Sequence, residues 1–141
     1  MAKTVFYSPN FSVTKLIGSA PPIGGALLLR IKDKVLGRKY QLSLVFTSLS
    51  HSQKLNRKYR QKRKPANILS FPISKNEGEI FISPAAWANP KQPKSKSAVT
   101  AATTTLFIHG LCHLKGFRHG SKMESEEKKY RQFFKIKSSN F

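Results

Sequence analysis

The apolar positions of this chain change period several times, and each change marks an element. Val5-Phe6-Tyr7 reads as a short strand ended by Pro9-Asn10. After Pro21-Pro22, Leu27, Leu28, Ile31 and Val35 recur at helical spacing, and Gly37 stands where such a helix would stop. Arg30, Lys32 and Lys34 lie largely off that stripe, which makes this a core-facing helix without chemistry of its own. Leu42, Leu44 and Phe46 then alternate with Ser43, Val45 and Thr47, the pattern of a half-buried strand. Ser50 and Gln53 are spaced as a capping box for a second helix carrying Leu55, Asn56, Tyr59 and Arg60. A basic connection from Gln61 to Lys64 ends at Pro65.

Two more strands follow, Ile68-Leu69-Ser70-Phe71-Pro72 and Glu79-Ile80-Phe81-Ile82, with Asn76-Glu77-Gly78 as the turn between them. Pro84 can open a short helix through Trp87, and the Pro- and Lys-rich stretch from Asn89 to Ser97 reads as a surface loop. Ala98 to Ile108 contains neither Pro nor Gly and is compatible with a helix. A last helix begins at Ser121, which forms a capping-box pair with Glu124, and it sets Met123, Glu127, Tyr130 and Phe134 on one face. Glu124, Glu126 and Glu127 fall in its first turns, where the helix dipole favours negative charge. That role suffices for Glu126 and Glu127, while Glu124 stays open. The elements add up to one α+β domain over residues 1–141, a small mixed β-sheet built from strands near 5, 44, 70 and 81 and packed with helices.

Composition narrows the class. The 141 residues are 39% apolar with ten Phe, enough for a real core. A lone cysteine excludes an internal disulfide framework and fits a reducing, cytoplasmic setting. No run approaches the ~18 apolar residues of a membrane span, and the N-terminus has no signal-peptide pattern. Lys and Arg number 26 against 6 Asp and Glu, a formal net charge of +20. Such an excess repels itself unless a polyanion is close by. Nucleic acid is favoured over an anionic membrane, because no basic amphipathic helix with a bulky aromatic face stands out.

The chemistry concentrates in His109-Gly110-Leu111-Cys112-His113-Leu114-Lys115-Gly116-Phe117-Arg118-His119, which holds three of the four histidines. If the preceding helix continues, His109 and His113 sit one turn apart on the same face. Gly116 suits a left-handed helix cap, after which the chain can bring His119 back toward the other two. Three imidazoles converging without a fourth protein ligand describe a zinc site that keeps one position open for water. Cys112 points about 100° away from its neighbours on the helix and reads as a small buried apolar residue.

These residues resemble the YbeY family of zinc-dependent endoribonucleases associated with ribosomal RNA maturation. The family pattern H-G-x-x-H-L-x-G-(Tyr or Phe)-Asp-His meets H-G-L-C-H-L-K-G-F-R-H here. Leu55-Asn56-Arg57-Lys58-Tyr59-Arg60 matches L-N-x-x-Y-R, Pro65 to Pro72 matches P-T-D-V-L-S-F-P, and Gly78-Glu79-Ile80 matches G-D-I. The resemblance runs in order over roughly residues 42 to 136. It implies a zincin-like fold with one Zn2+ on a central helix, held by His109, His113 and His119. It also implies RNA as partner, through ribosomal RNA or the small ribosomal subunit, and single-strand-directed cleavage. A zinc ion on three neutral imidazoles lowers the pKa of its bound water to about 7, activating it for phosphodiester hydrolysis. His109 and Arg60 would then be catalytic, and Arg60 would clamp phosphate as a fork-shaped donor.

This chain departs from the pattern at Arg118, Asn67 and Ala66, where the family has Asp, Asp and Thr. An Asp beside a metal-binding His orients ligands from outside the coordination sphere, whereas Arg adds repulsion toward the metal. Swung outward, Arg118 would meet the incoming backbone and bind RNA together with Arg60. Two other readings stand beside the nuclease. The histidine and glycine spacing equals that of H-E-x-x-H-x-x-G-x-x-H peptidases, but their general base falls on Gly110 here. An RNA- or ribosome-binding domain with a structural or vestigial zinc would also carry these residues.

Overall fold

A computed structural model describes residues 2–16, 21, 23–60, 67–83 and 95–136, with the side chain of Arg60 outside that set. The alternation in β3 (Gln41–Phe46) organises what surrounds it. Leu42, Leu44 and Phe46 turn one way into the main core, while Val45, facing the other way, is buried as well. A strand covered on both faces belongs in the middle of a sheet, and there it lies. The sheet order is β1-β2-β3-β5-β4. β3 runs parallel to β2 (Phe11–Lys15) and to β5 (Glu77–Ile82). The outer strands β1 (Lys3–Ser8) and β4 (Ile68–Ser74) are antiparallel to their neighbours. The sheet is therefore mixed, and the fold α+β.

β2 is a strand that the sequence reading passed over, although Phe11-Ser12-Val13-Thr14 alternates apolar and polar and buries Phe11 and Val13. Pro9-Asn10 does not simply end β1; it is the two-residue turn of a hairpin in which Ser8 pairs with Phe11. The second hairpin turn also shifts. It lies at Lys75-Asn76, so that Glu77 and Gly78 are strand residues, with a register irregularity between Pro72 and Ser74.

Helix α1 (Gly25–Leu36) buries Leu28, Ile31 and Val35 as its spacing requires, and Gly37 closes it at φ 95°. Lys32 lies on the buried stripe and not off it: it is 0% exposed, its ammonium held by Asp33 Oδ1 at 3.1 Å and the Arg38 carbonyl at 3.2 Å. Helix α2 (Leu49–Arg60) is capped two residues earlier than the Ser50–Gln53 pair suggests, because Ser48 Oγ accepts the His51 N–H at 3.1 Å. The basic connection at 61–66 and the short helix expected at Pro84 to Trp87 lie outside the described residues, as does 89–94 of the expected loop.

The long helix α3 (Lys96–Lys115) is the keystone. It begins inside the expected loop, capped by Ser95 Oγ on the Ala98 N–H, and packs on α1, α4 (Ser121–Phe133), β4 and β5. Phe107, Ile108, Leu111 and Cys112 are all 0% exposed against Leu44, Ile80 and Ile82. Two glycines set the spacing. A Cβ on Gly110 would stand 2.7 Å from Ile68 Cδ1 and 2.9 Å from Ser70 Oγ. On the sheet side, a Cβ on Gly78 would meet Tyr40 Oη at 2.5 Å and Leu114 at 3.1 Å. Helix and sheet thus touch backbone to side chain, and Ser70 Oγ donates to the Gly110 carbonyl at 3.2 Å. Gly110→Ala is expected to cost about 1–3 kcal/mol of unfolding free energy by overpacking, read by urea titration. A variant as stable as the parent would show that this contact has room for a methyl group.

Candidate metal centre

His109 and His113 emerge from the last two turns of α3, one helical turn apart and half-buried. The helix then stops in a Schellman arrangement. Gly116 adopts φ 111°, its N–H meets the His113 carbonyl at 3.0 Å, and the Phe117 N–H reaches the Cys112 carbonyl at 3.0 Å. The chain reverses through Phe117, which packs on the core, and enters α4 after Gly120. That reversal carries His119 back over the helix end. The three rings stand 4.7 to 5.2 Å apart between centroids, and one potential ligand atom from each lies within 4.8 Å of the others. Among the described residues these three form the one cluster of metal-ligating type.

The α4 side of the site holds a residue to which the sequence reading gave a different role. Glu127 is not merely a complement to the helix dipole: its Oε1 is hydrogen-bonded to His109 Nδ1, with the carboxylate side chain 13% exposed. A carboxylate at this place can only accept, which favours the tautomer with the proton on Nδ1 and leaves Nε2 for a metal. Arg131, one turn on, stands 4.0 Å from the other oxygen of Glu127. The signal was present in the sequence. Glu127 shares its helix face with Met123 and Tyr130, both buried, and an acid on a buried stripe needs a partner. Glu126 faces elsewhere, joining Lys129 at 2.9 Å and Lys115 at 3.4 Å. Lys115 also donates to Tyr130 Oη at 2.7 Å, which ties the end of α3 to α4 across the His119 turn. Nor does Ser121 cap α4: Gly120 occupies the cap position, and no side chain closes it.

Cys112 lies beside this cluster without joining it. Burial first, then the nearby Glu127 and Glu126, push its thiol up to about 12. A metal takes the thiolate, so this side chain is packing. Arg118 is exposed in the turn next to His119, and Asn67 is exposed just before β4. Arg60 closes α2, but where its guanidinium points lies outside the described residues.

Gly110 decides against the peptidase geometry. Its Cβ direction runs into Ile68, Ser70 and Ile80, away from the histidines, so a general-base carboxylate at this position would enter the sheet contact. A family model described as Endoribonuclease YbeY matches residues 26–137. The chain belongs to the YbeY endoribonuclease family.

An endoribonuclease YbeY of Pelagibacter ubique is 33% identical over 121 residues, covering 75% of this chain and 77% of the relative. YbeY proteins of Francisella tularensis and Ehrlichia chaffeensis are 32% and 35% identical, each over 61% of this chain. The chain spans 59% and 58% of those two relatives. The solution structure of a Thermotoga maritima protein superposes with a TM-score of 0.52 over 89% of this chain and 91% of its own, at 20% identity. That likeness shows the shared fold.

The histidine trio fits a metal by its donor set: three nitrogen ligands, one with its tautomer fixed by a carboxylate from outside the coordination sphere. Partners of the Glu127 kind typically contribute about 10–100-fold to metal affinity. Glu127→Gln is expected to weaken the binding of a divalent metal by that factor, measured by competition against a chromogenic chelator. Equal affinity in the variant would mean that the His109 ring is oriented by packing alone.

Proposed function

We propose that this chain is a zinc-dependent endoribonuclease that cleaves single-stranded RNA in ribosomal RNA processing, within the cytoplasm. The observation that carries this reading is the convergence of His109, His113 and His119 in a YbeY-family chain of net charge +20. The three side chains would hold one Zn2+, for which neutral imidazoles are suited ligands. When bound, the ion supplies a Lewis acid toward a phosphodiester oxygen and lowers the pKa of a coordinated water.

The remaining work falls to the protein. Glu127 keeps the proton on His109 Nδ1 and so presents Nε2. Arg60, at the end of α2, is assigned to the phosphate undergoing cleavage. A guanidinium stays charged at any working pH and grips two oxygens at once. Arg118 is assigned to a neighbouring phosphate, since an exposed cation beside His119 is better placed on the polyanion than near a dication. No described helix is long and apolar enough to cross a membrane.

The test combines metal analysis with cleavage. Purified protein should carry about one zinc per chain, and cleavage of single-stranded ribosomal RNA should stop with a chelator. His113→Ala should lose both zinc and cleavage while still binding RNA. Cleavage that persists in that variant would overturn the proposal, and RNA binding without any cleavage by the zinc-loaded parent would favour a binding module. Arg118→Asp is expected to weaken RNA binding and to flatten the log–log salt slope by about 0.7, the value of one single-strand phosphate contact. An unchanged slope would remove Arg118 from the substrate path.

A further inference from the structure

Strand β4 separates two surfaces. On its α3 side, Ser70 touches Gly110 beside His109. Phe71 follows it, and because successive strand residues point to opposite faces, its ring lies on the far side of the sheet. There it meets Tyr59 of α2 edge-on, with ring centroids 5.5 Å apart, and Phe81 of β5 at 5.8 Å. His51 continues the row at 6.1 Å from Phe81. The inner members of this row are half-buried packing between α2 and the sheet. Tyr59 at its outer end is 59% exposed, which packing alone does not require.

The helix that carries Tyr59 is basic, and the one acid paired with this row, Glu79 across from Phe71, is half-buried. Helix α2 contains no Asp or Glu, Lys54, Arg57 and Lys58 are exposed on it, and the Lys58 ammonium stands 5.2 Å from the Tyr59 ring centroid. A supported aromatic face flanked by cations is the composition that binds single-stranded nucleic acid without reading its sequence. Bases stack on the ring while cations follow the backbone. A duplex offers no free base face to such a ring, and an acidic protein segment would use the cations but not the aromatic surface.

We infer that Tyr59, propped by Phe71, is a stacking platform for one unpaired base of the RNA, with Lys54, Arg57 and Lys58 holding the adjoining phosphates. Platform and histidine trio flank the same stretch of edge strand β4, through Phe71 on one face and Ser70 on the other, so one RNA strand crossing that edge would meet both. The platform therefore selects unpaired RNA for the cut. This inference rests on the reading of the chain as a ribonuclease.

The test is binding of a short single-stranded 2′-O-methyl RNA, which resists cleavage, to the zinc-loaded protein by fluorescence anisotropy. Loss of base stacking by alanine substitution typically costs about 5–150-fold in affinity. Tyr59→Ala is expected to lose affinity in that range, with an unchanged salt slope, whereas Tyr59→Trp should bind as the parent does. An oligonucleotide with a run of abasic sugars should bind the parent more weakly by a similar factor and should not distinguish parent from Tyr59→Ala. Parent-like binding of the normal oligonucleotide by Tyr59→Ala would overturn the platform while leaving the nuclease reading intact. An equal loss by Tyr59→Ala on the abasic oligonucleotide would also overturn it, since no base would then be involved. A parent protein that binds no RNA would instead sink the ribonuclease reading beneath it.

Discussion

The site depends on how closely α3 can lie on the sheet. The helix has to present His109 and His113 outward while its opposite side is buried against β4 and β5, and the residue next to His109 must therefore face strands. Only a residue without a Cβ allows the approach seen at Gly110, where Ile68, Ser70 and Ile80 already occupy the space. Gly78 gives the same freedom from the strand side, beneath Leu114 and Tyr40. Fixing the helix this way fixes the direction of both histidines, since side chains at i and i+4 share a face. The buried apolar row Phe107, Ile108 and Leu111 then holds the orientation.

The third histidine is supplied by a different device. His119 comes from a turn, and a turn would position it loosely unless both ends were anchored. At one end the Schellman closure at Gly116 satisfies the last carbonyls of α3. At the other, Met123 and Tyr130 bury one face of α4, and Lys115 bonds Tyr130 and Glu126 across the gap. The two helices and the turn between them are thus a single rigid unit, and Glu127 uses that rigidity to reach His109.

Much of this was legible in the sequence, for local reasons. Histidines at i, i+4 and i+10 around a helix-stopping Gly constrain one another strongly, so the cluster followed from spacing. So did α1, with its stripe and its Gly37. What stayed hidden depends on contacts between distant segments. β2 alternates visibly but is only five residues long, and what no local pattern gives is its parallel pairing with β3. Lys32 sits on the buried stripe because Asp33 and the Arg38 carbonyl receive its ammonium, which no period in the sequence reveals. Both capping boxes failed alike: the Ser–x–x–Gln and Ser–x–x–Glu patterns were present, but neighbouring residues took the cap positions. Glu127 was placed on the correct face, yet its partner lies 18 residues upstream on another helix.

The charge balance around the trio links Glu127 to Arg118. A dication bound by neutral imidazoles retains its full charge, and this chain adds Arg118 where the resembling pattern has Asp. In a protein of net charge +20 nothing distant compensates that excess, because exposed charges beyond about 8–10 Å are screened by salt. Compensation has to be local and shielded. Glu127 is both: its carboxylate is largely buried, it sits against a ligand ring, and Arg131 holds its far oxygen. The negative charge available to a metal held by the trio would thus come from beneath, through His109. The open side beside His119 is left positive, and a phosphate backbone is the ligand that such a surface attracts. The departure at Arg118 therefore need not signal a decayed site. With Glu127 in place, the same trio can hold a cation while Arg118 stays exposed beside it.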